Sequence, residues 1–196
     1  MMLIWLGRIH RCRGFGIQSP WAYRFVRYVI NEHYPYYGYG DVERGGAVPD
    51  PLSRKLGRLY MRIANHVRPT TIISYGGRDD TPLRYFKAGC ATARTVSFDA
   101  AADIGEVKRL LHSLDTVSLL RLRPEGSYRE VFNEARLKAA AGAVIIIEGI
   151  KDGDDARRFW REVVRPADGV VTFDLYYCGL VCFRPKMYKQ GYVVNF

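Results

Sequence analysis

Apolar residues change their period along this chain. From Ser19 to about residue 33, Trp21, Phe25 and Val29 recur every fourth position with Tyr28 beside them, which predicts a helix with one apolar stripe. Ser19-Pro20 suits its start: a serine hydroxyl accepts from the free N–H groups of a first turn, and proline fits the first helical position. Tyr34-Pro35-Tyr36-Tyr37-Gly38-Tyr39-Gly40 then predicts an aromatic loop, which Gly45, Gly46 and Pro49 extend. Asp50-Pro51 opens a second helix. Its face of Leu52, Leu56, Leu59, Tyr60, Ile63 and Val67 ends near Arg68-Pro69.

From residue 71 short apolar runs alternate with amphipathic ones. Strands are expected at 71–76, 94–99, 117–122 and 143–148. Helices are expected through Leu83 to Lys87, from about 103 to 114, at 127–140 and at 154–164. Unbroken runs such as Ala143-Val144-Ile145-Ile146-Ile147 suit parallel strands covered on both faces, and the alternation implies right-handed crossovers. The end differs. Val170 to Tyr176 and Gly179 to Arg184 are separated only by Tyr177-Cys178, a link short enough to permit only an antiparallel hairpin. A last extended segment is expected over Tyr192 to Phe196. The expected organisation is a helical cap over residues 1–70 and an α/β unit over 71–196, together one compact body.

The candidate chemistry lies at the start of that unit. Thr71-Ile72-Ile73-Ser74-Tyr75 runs into Gly76-Gly77, a helix follows, and the next strand ends on Asp99 about 20 residues later. This is the layout of a Rossmann-like cofactor site: glycine lets the backbone approach the ligand, and the acid accepts from ribose hydroxyls. The turn continues Arg78-Asp79-Asp80, where a further glycine belongs. Asp79 and Asp80 suit either a cation or the positive end of a helix.

The formal charge is +10, of which residues 1–70 carry +7. Such asymmetry fits either a solvated basic face or a nucleic-acid surface, and no nucleic-acid motif accompanies it. Cys12, Cys90, Cys178 and Cys182 form no C-x-x-C pair and suit a reduced, cytoplasmic protein, with Cys178 and Cys182 on one face of a strand. His10, His33, His66 and His112 fall away from strand ends, where open α/β sheets collect ligands. The apolar run Met1 to Leu6 is too short for a membrane span.

The two ends carry a resemblance. The run from His10 to Tyr23, the run His33-Tyr34-Pro35-Tyr36-Tyr37, and the hairpin from Phe173 to Arg184 resemble a small bacterial subfamily of class I S-adenosylmethionine-dependent methyltransferases. The resemblance implies a Rossmann-like methyltransferase sheet, mostly parallel with a C-terminal antiparallel hairpin, plus two N-terminal helices. It implies S-adenosylmethionine as cofactor, weakly held. Tyr75, Gly76 and Gly77 would lie on its methionine side, Asp99 on its ribose, and Glu148 in the same site.

The chain departs from that pattern. Ser74 stands where the family has an acid, Arg78 and Asp80 replace glycines, and the strand at 117–122 ends in Arg121-Leu122-Arg123 rather than a carboxylate. One strand is also missing between residues 100 and 116. No metal is expected, because Glu148 alone does not supply the oxygen ligands that a hard cation needs. Three functions follow as alternatives. One is a methyltransferase for an unknown small-molecule or macromolecular acceptor. Another is an inactive relative, a pseudoenzyme that acts by binding. The third is a basic protein that binds RNA or another polyanion.

Overall fold

The structure is a computed structural model. It describes residues 16–196 except 33, 45–49, 78, 166–168 and 189. Among the described residues, three helical segments come first. Helix α1 (Pro20–Phe25) continues into a π-helical turn over Val26–Ile30 and is followed by α2 (Tyr37–Arg44) and α3 (Pro51–Val67). The rest alternates as β1 (Thr71–Tyr75), α4 (Thr81–Gly89), β2 (Arg94–Phe98), α5 (Ile104–Ser113), β3 (Val117–Leu122), α6 (Tyr128–Leu137), β4 (Ala139–Glu148) and α7 (Gly153–Val163). Strands β5 (Val170–Asp174), β6 (Cys178–Phe183) and β7 (Gln190–Val193) finish the chain.

The helix starts are those the caps dictate. The Ser19 hydroxyl accepts from Ala22 N at 3.3 Å, and the Asp50 carboxylate accepts from Leu52 N and Ser53 N at 2.9 and 3.2 Å. Two N-terminal helices were expected, and the structure has a third. Residues 37–44, expected as loop, form α2, because Tyr39 finds a buried place against α3 and a side chain there holds its hydroxyl. The side chain is Arg62. It is 7% exposed and donates to Val29 O at 2.6 Å, Ile30 O at 2.9 Å and Tyr39 Oη at 2.9 Å, tying all three segments together. Other basic residues of this part are also committed to the fold, such as Arg58, which pairs with Glu43 at 2.8 Å. Arg8, Arg11 and Arg13, and His10 and His33, lie outside the described residues.

One seven-stranded sheet has the order β2-β1-β3-β4-β6-β5-β7. Strands β2, β1, β3 and β4 are parallel, and β6 runs antiparallel to both β4 and β5. The final segment, β7, pairs parallel with β5. Only α5 spans the gap between β2 and β3, so β2 lies at the sheet edge among the described residues. Strand β4 begins at residue 139, earlier than expected, and its pairing with β3 shifts register between Val117 and Leu119.

Alternate residues go to opposite faces, as a strand's period of two requires. Ile72, Leu119, Val144, Ile146, Phe173 and Leu180 face α1 to α4, where Phe25 stacks within 5.3 Å of Phe173. Ile73, Tyr75, Leu120, Leu122, Ile145 and Ile147 face α5, α6 and α7. The chain leaves β1 for β2 on one side and returns to β3 on the other. The carboxyl ends of β1 and β3 therefore flank a topological switch point, where such sheets bind ligands.

Candidate functional site

Register brings three polar side chains together at that point. Ser74 of β1 pairs with Arg121 of β3, and Arg121 pairs with Ile146 of β4, two residues before Glu148. All three polar residues face α3. Arg121 is 3% exposed and Ser74 2%. Arg121 donates Nε to Glu148 Oε1 at 2.7 Å, Nη2 to Glu148 Oε2 at 2.6 Å, and Nη1 to Ser74 Oγ and Gly76 O at 3.0 Å each. Tyr60, on the apolar stripe of α3, donates its hydroxyl to Glu148. Burial alone would lower the Arg121 pKa, but the bonds to Glu148 overcome this and hold it above the ordinary arginine value. Burial, and then the Glu148 charge, pushes the Tyr60 hydroxyl well above its usual range.

This pair forms the floor of a cavity of about 440 Å³. Its walls are one face of α3 (Leu52, Leu56, Tyr60), the turn after β1 (Gly77, Asp79, Thr81, Pro82) and the segment after β3 (Arg123, Pro124, Glu125). Gly149 and Asp152 after β4, with Tyr176 and Tyr177 at the β5–β6 turn, complete it. The size is that of a small-molecule site.

The glycine turn is present. Gly76 and Gly77 have φ of +79° and +80°, a region open to glycine at no steric cost. Asp99 does follow β2, but it is exposed, and its carboxylate accepts from Ala101 N at 2.7 Å. It lines a separate open depression with β2 and α5 residues such as Phe98 and Arg109.

Arg123 N donates to Tyr75 O at 2.9 Å, which continues the parallel β1–β3 ladder by one residue. Gly126 packs so tightly on β2's end that a Cβ there would stand 2.1 Å from Ala100 O. The buried Tyr75 hydroxyl accepts from Ser127 N at 2.8 Å and reaches Ala100 O at 3.5 Å. At the start of α4, where a ligand carboxylate would meet the helix N-terminus, Asp79 Oδ1 already accepts from Thr81 N at 2.8 Å. Gly76 N donates to Phe98 O at 2.9 Å, so the glycine turn and the end of β2 that carries Asp99 are neighbours, with Gly126 packed against Ala100 beside them.

Gly77 and Glu148 therefore share one cavity, Gly76 precedes Gly77 in the turn, the Tyr75 side chain is buried on the other face of the sheet, and Asp99 lines the other hollow. Arg78 lies outside the described residues. Arg121 does line the cleft as its place at the switch point requires, but its charge is matched by Glu148. Sequence reading missed Tyr60, Asp152, Tyr176 and Tyr177. Tyr60 was hidden in an apolar stripe, whereas Arg121 within Leu119-Leu120-Arg121-Leu122 carries a usable signal, because a charge in a buried parallel strand needs a partner. Among the described residues no group of three or more His, Cys, Asp or Glu side chains is placed to hold a metal ion. No described helix is long and apolar enough to cross a membrane.

No protein-family model matches the chain, and no curated protein sequence matches it. Solved structures do. A methyltransferase from Geobacter sulfurreducens is 15% identical with a TM-score of 0.52, over 79% of this chain and 92% of that one. An O-methyltransferase from Bacillus cereus, solved in complex with SAH, is 12% identical with a TM-score of 0.53, over 81% and 96%. The O-methyltransferase TomG from Streptomyces achromogenes, solved in complex with SAM, is 14% identical with a TM-score of 0.50, over 77% and 91%. The order of the parallel strands, the antiparallel hairpin and these likenesses agree: the chain has the fold of the class I S-adenosylmethionine-dependent methyltransferases.

Proposed function

We propose that this protein works by binding a small molecule in the cleft over Arg121 and Glu148, and that it does not transfer methyl groups from S-adenosylmethionine. The observation that supports the reading is that Gly77 and Asp99 line different hollows, with Gly126 packed against Ala100 beside Asp99. A bisubstrate reaction needs its two partners within contact and aligned. A cofactor that engages its glycine turn without its acid is not held for that. The positive-φ turn at Gly76 and Gly77, bonded through Gly76 N to Phe98 O at 2.9 Å, favours a second reading, a working methyltransferase on an unknown acceptor, in which the cofactor reaches both the turn and Asp99.

Calorimetric titration with S-adenosylmethionine and its demethylated product separates the two. The binding reading expects a dissociation constant weaker than about 1 mM for both, unchanged in Asp99→Ala. Micromolar binding that Asp99→Ala weakens would establish the second reading and overturn the first.

A further inference from the structure

The charges around the cleft state what it would take. It is lined by four carboxylates, Asp79, Glu125, Glu148 and Asp152, against two guanidiniums, Arg121 and Arg123, within a chain of net charge +10. Both guanidiniums are spent. Arg121 is closed on Glu148 at 2.6 Å, and Arg123 Nε on Glu125 at 2.7 Å. The start of α4 is occupied by Asp79. An anionic ligand would find no unmatched positive group among the described lining residues.

Among the described lining residues the surplus is negative. Asp152 stands at the cap position of α7, yet its side chain makes no capping bond; it lies over Gly149, where a Cβ would be 2.7 Å from Oδ2. Beside it, where Gly149 N donates to Tyr177 O at 2.8 Å, the β5–β6 turn presents two tyrosines, their rings 5.1 Å apart and near perpendicular. Tyr176 holds φ at +73°, a conformation that a bulky residue adopts only where its surroundings over-determine it. Aromatic faces and carboxylates around a half-enclosed space attract a cation more than either does alone.

We infer that the cleft takes an organic cation, an ammonium carried on a compact apolar or aromatic body, with Asp152 and the Tyr176-Tyr177 turn as its recognition elements. The apolar body would lie along Leu52, Leu56 and Pro124, and the charge toward Gly149. This inference rests on the binding reading above.

Three probes of nearly constant size differ in charge: benzylamine (cationic at neutral pH), benzyl alcohol and benzoate. Each would be titrated into the full, isotope-labelled chain while backbone amide resonances are followed. Benzylamine is expected to move Gly77, Gly149 and Tyr177 saturably, benzyl alcohol more weakly, and benzoate not at all. Asp152→Asn should weaken benzylamine about threefold, the effect of one charge at ~6 Å in a water-like medium, and leave benzyl alcohol unchanged. Equal affinity for the three probes, preference for benzoate, or a benzylamine titration that moves no cleft resonance would overturn the inference. A parallel S-adenosylmethionine titration tells the two failures apart. Joint movement of Gly77 and Ala100 by S-adenosylmethionine would bring down the binding reading, whereas failure of benzylamine with S-adenosylmethionine inert brings down this inference alone.

Discussion

Arg121 and Glu148 meet as a bidentate pair across the carboxyl ends of β3 and β4, at 2.7 and 2.6 Å, with side chains 4% and 14% exposed. The other edge of the guanidinium bonds Ser74 and Gly76. Where a ligand site at a switch point ordinarily offers unmatched donors and acceptors, this floor has matched its own. It is a polar network satisfied within the protein, and it holds the glycine turn in place whether or not a ligand is bound.

Arg121→Met is therefore expected to destabilise the protein by about 3–5 kcal/mol, because Glu148 would stay buried without its cation. The double variant Arg121→Met with Glu148→Leu should regain much of that loss, since a buried pair replaced by apolar groups is often neutral. Urea denaturation of the three proteins checks both statements. A single variant as stable as the parent would show that water reaches Glu148 and replaces the arginine.

Tyr75→Phe tests what holds the segment after β3 against the end of β2. Tyr75 is fully buried, and its hydroxyl accepts the Ser127 N–H. Its removal leaves that donor unpaired, at a cost of about 1–3 kcal/mol. Hydrogen exchange at Ser127 should accelerate. Unchanged exchange there would mean that the backbone contact of Gly126 with Ala100 holds the segment by itself.

The fold was legible because period and punctuation agreed at every level. Ile145-Ile146-Ile147 reads as a parallel strand since both faces of the sheet are covered, and the link between β5 and β6, three residues (175–177) rather than the expected Tyr177-Cys178 because Cys178 joins β6, is still short enough to leave only a hairpin. The missing strand was legible as well, since a gap that holds one helix cannot also hold a strand. Helix α2 was not. Gly38 and Gly40 weaken any local preference for helix, and what forms it is tertiary: the bond between Tyr39 and Arg62, 23 residues apart. The site was half legible. Gly76, Gly77 and Asp99 stand at the strand ends where their spacing predicts, but nothing local announces how the segment after β3 lies beside them. That follows from the packing of Gly126 on a carbonyl 26 positions earlier.

Arg62 lends itself to a stability prediction of its own. It is a buried cation whose described partners are two carbonyls and one hydroxyl, and the carbonyls lie at the C-terminal end of the first helical segment, where the dipole favours positive charge. Arg62→Leu is expected to lose at least about 2 kcal/mol, the range of charge-assisted hydrogen bonds, and Tyr39→Phe only about 1 kcal/mol. Chemical denaturation checks the ranking. Equal losses would place the weight on Tyr39 instead.

Glu43 ties α2 to its neighbours and makes part of the stability depend on pH. Its carboxylate accepts from Arg58 Nε and Nη2 at 2.8 and 3.1 Å and from the Tyr85 hydroxyl at 3.3 Å. The Arg58 bonds outweigh partial burial and hold its pKa below the ordinary 4.5. With the folded value depressed, the unfolded chain binds more protons in the window between the two, so stability rises with pH there. The contribution is complete above about pH 4.5 and is lost as pH falls through the lowered folded value. Glu43→Gln keeps the shape and removes the titration. The stability gap between parent and variant should be constant at neutral pH and shrink on acidification below about pH 4.5. A gap that widens there would mean that the protonated form is the one the fold prefers, and that Arg58 does not hold the charged carboxylate in solution.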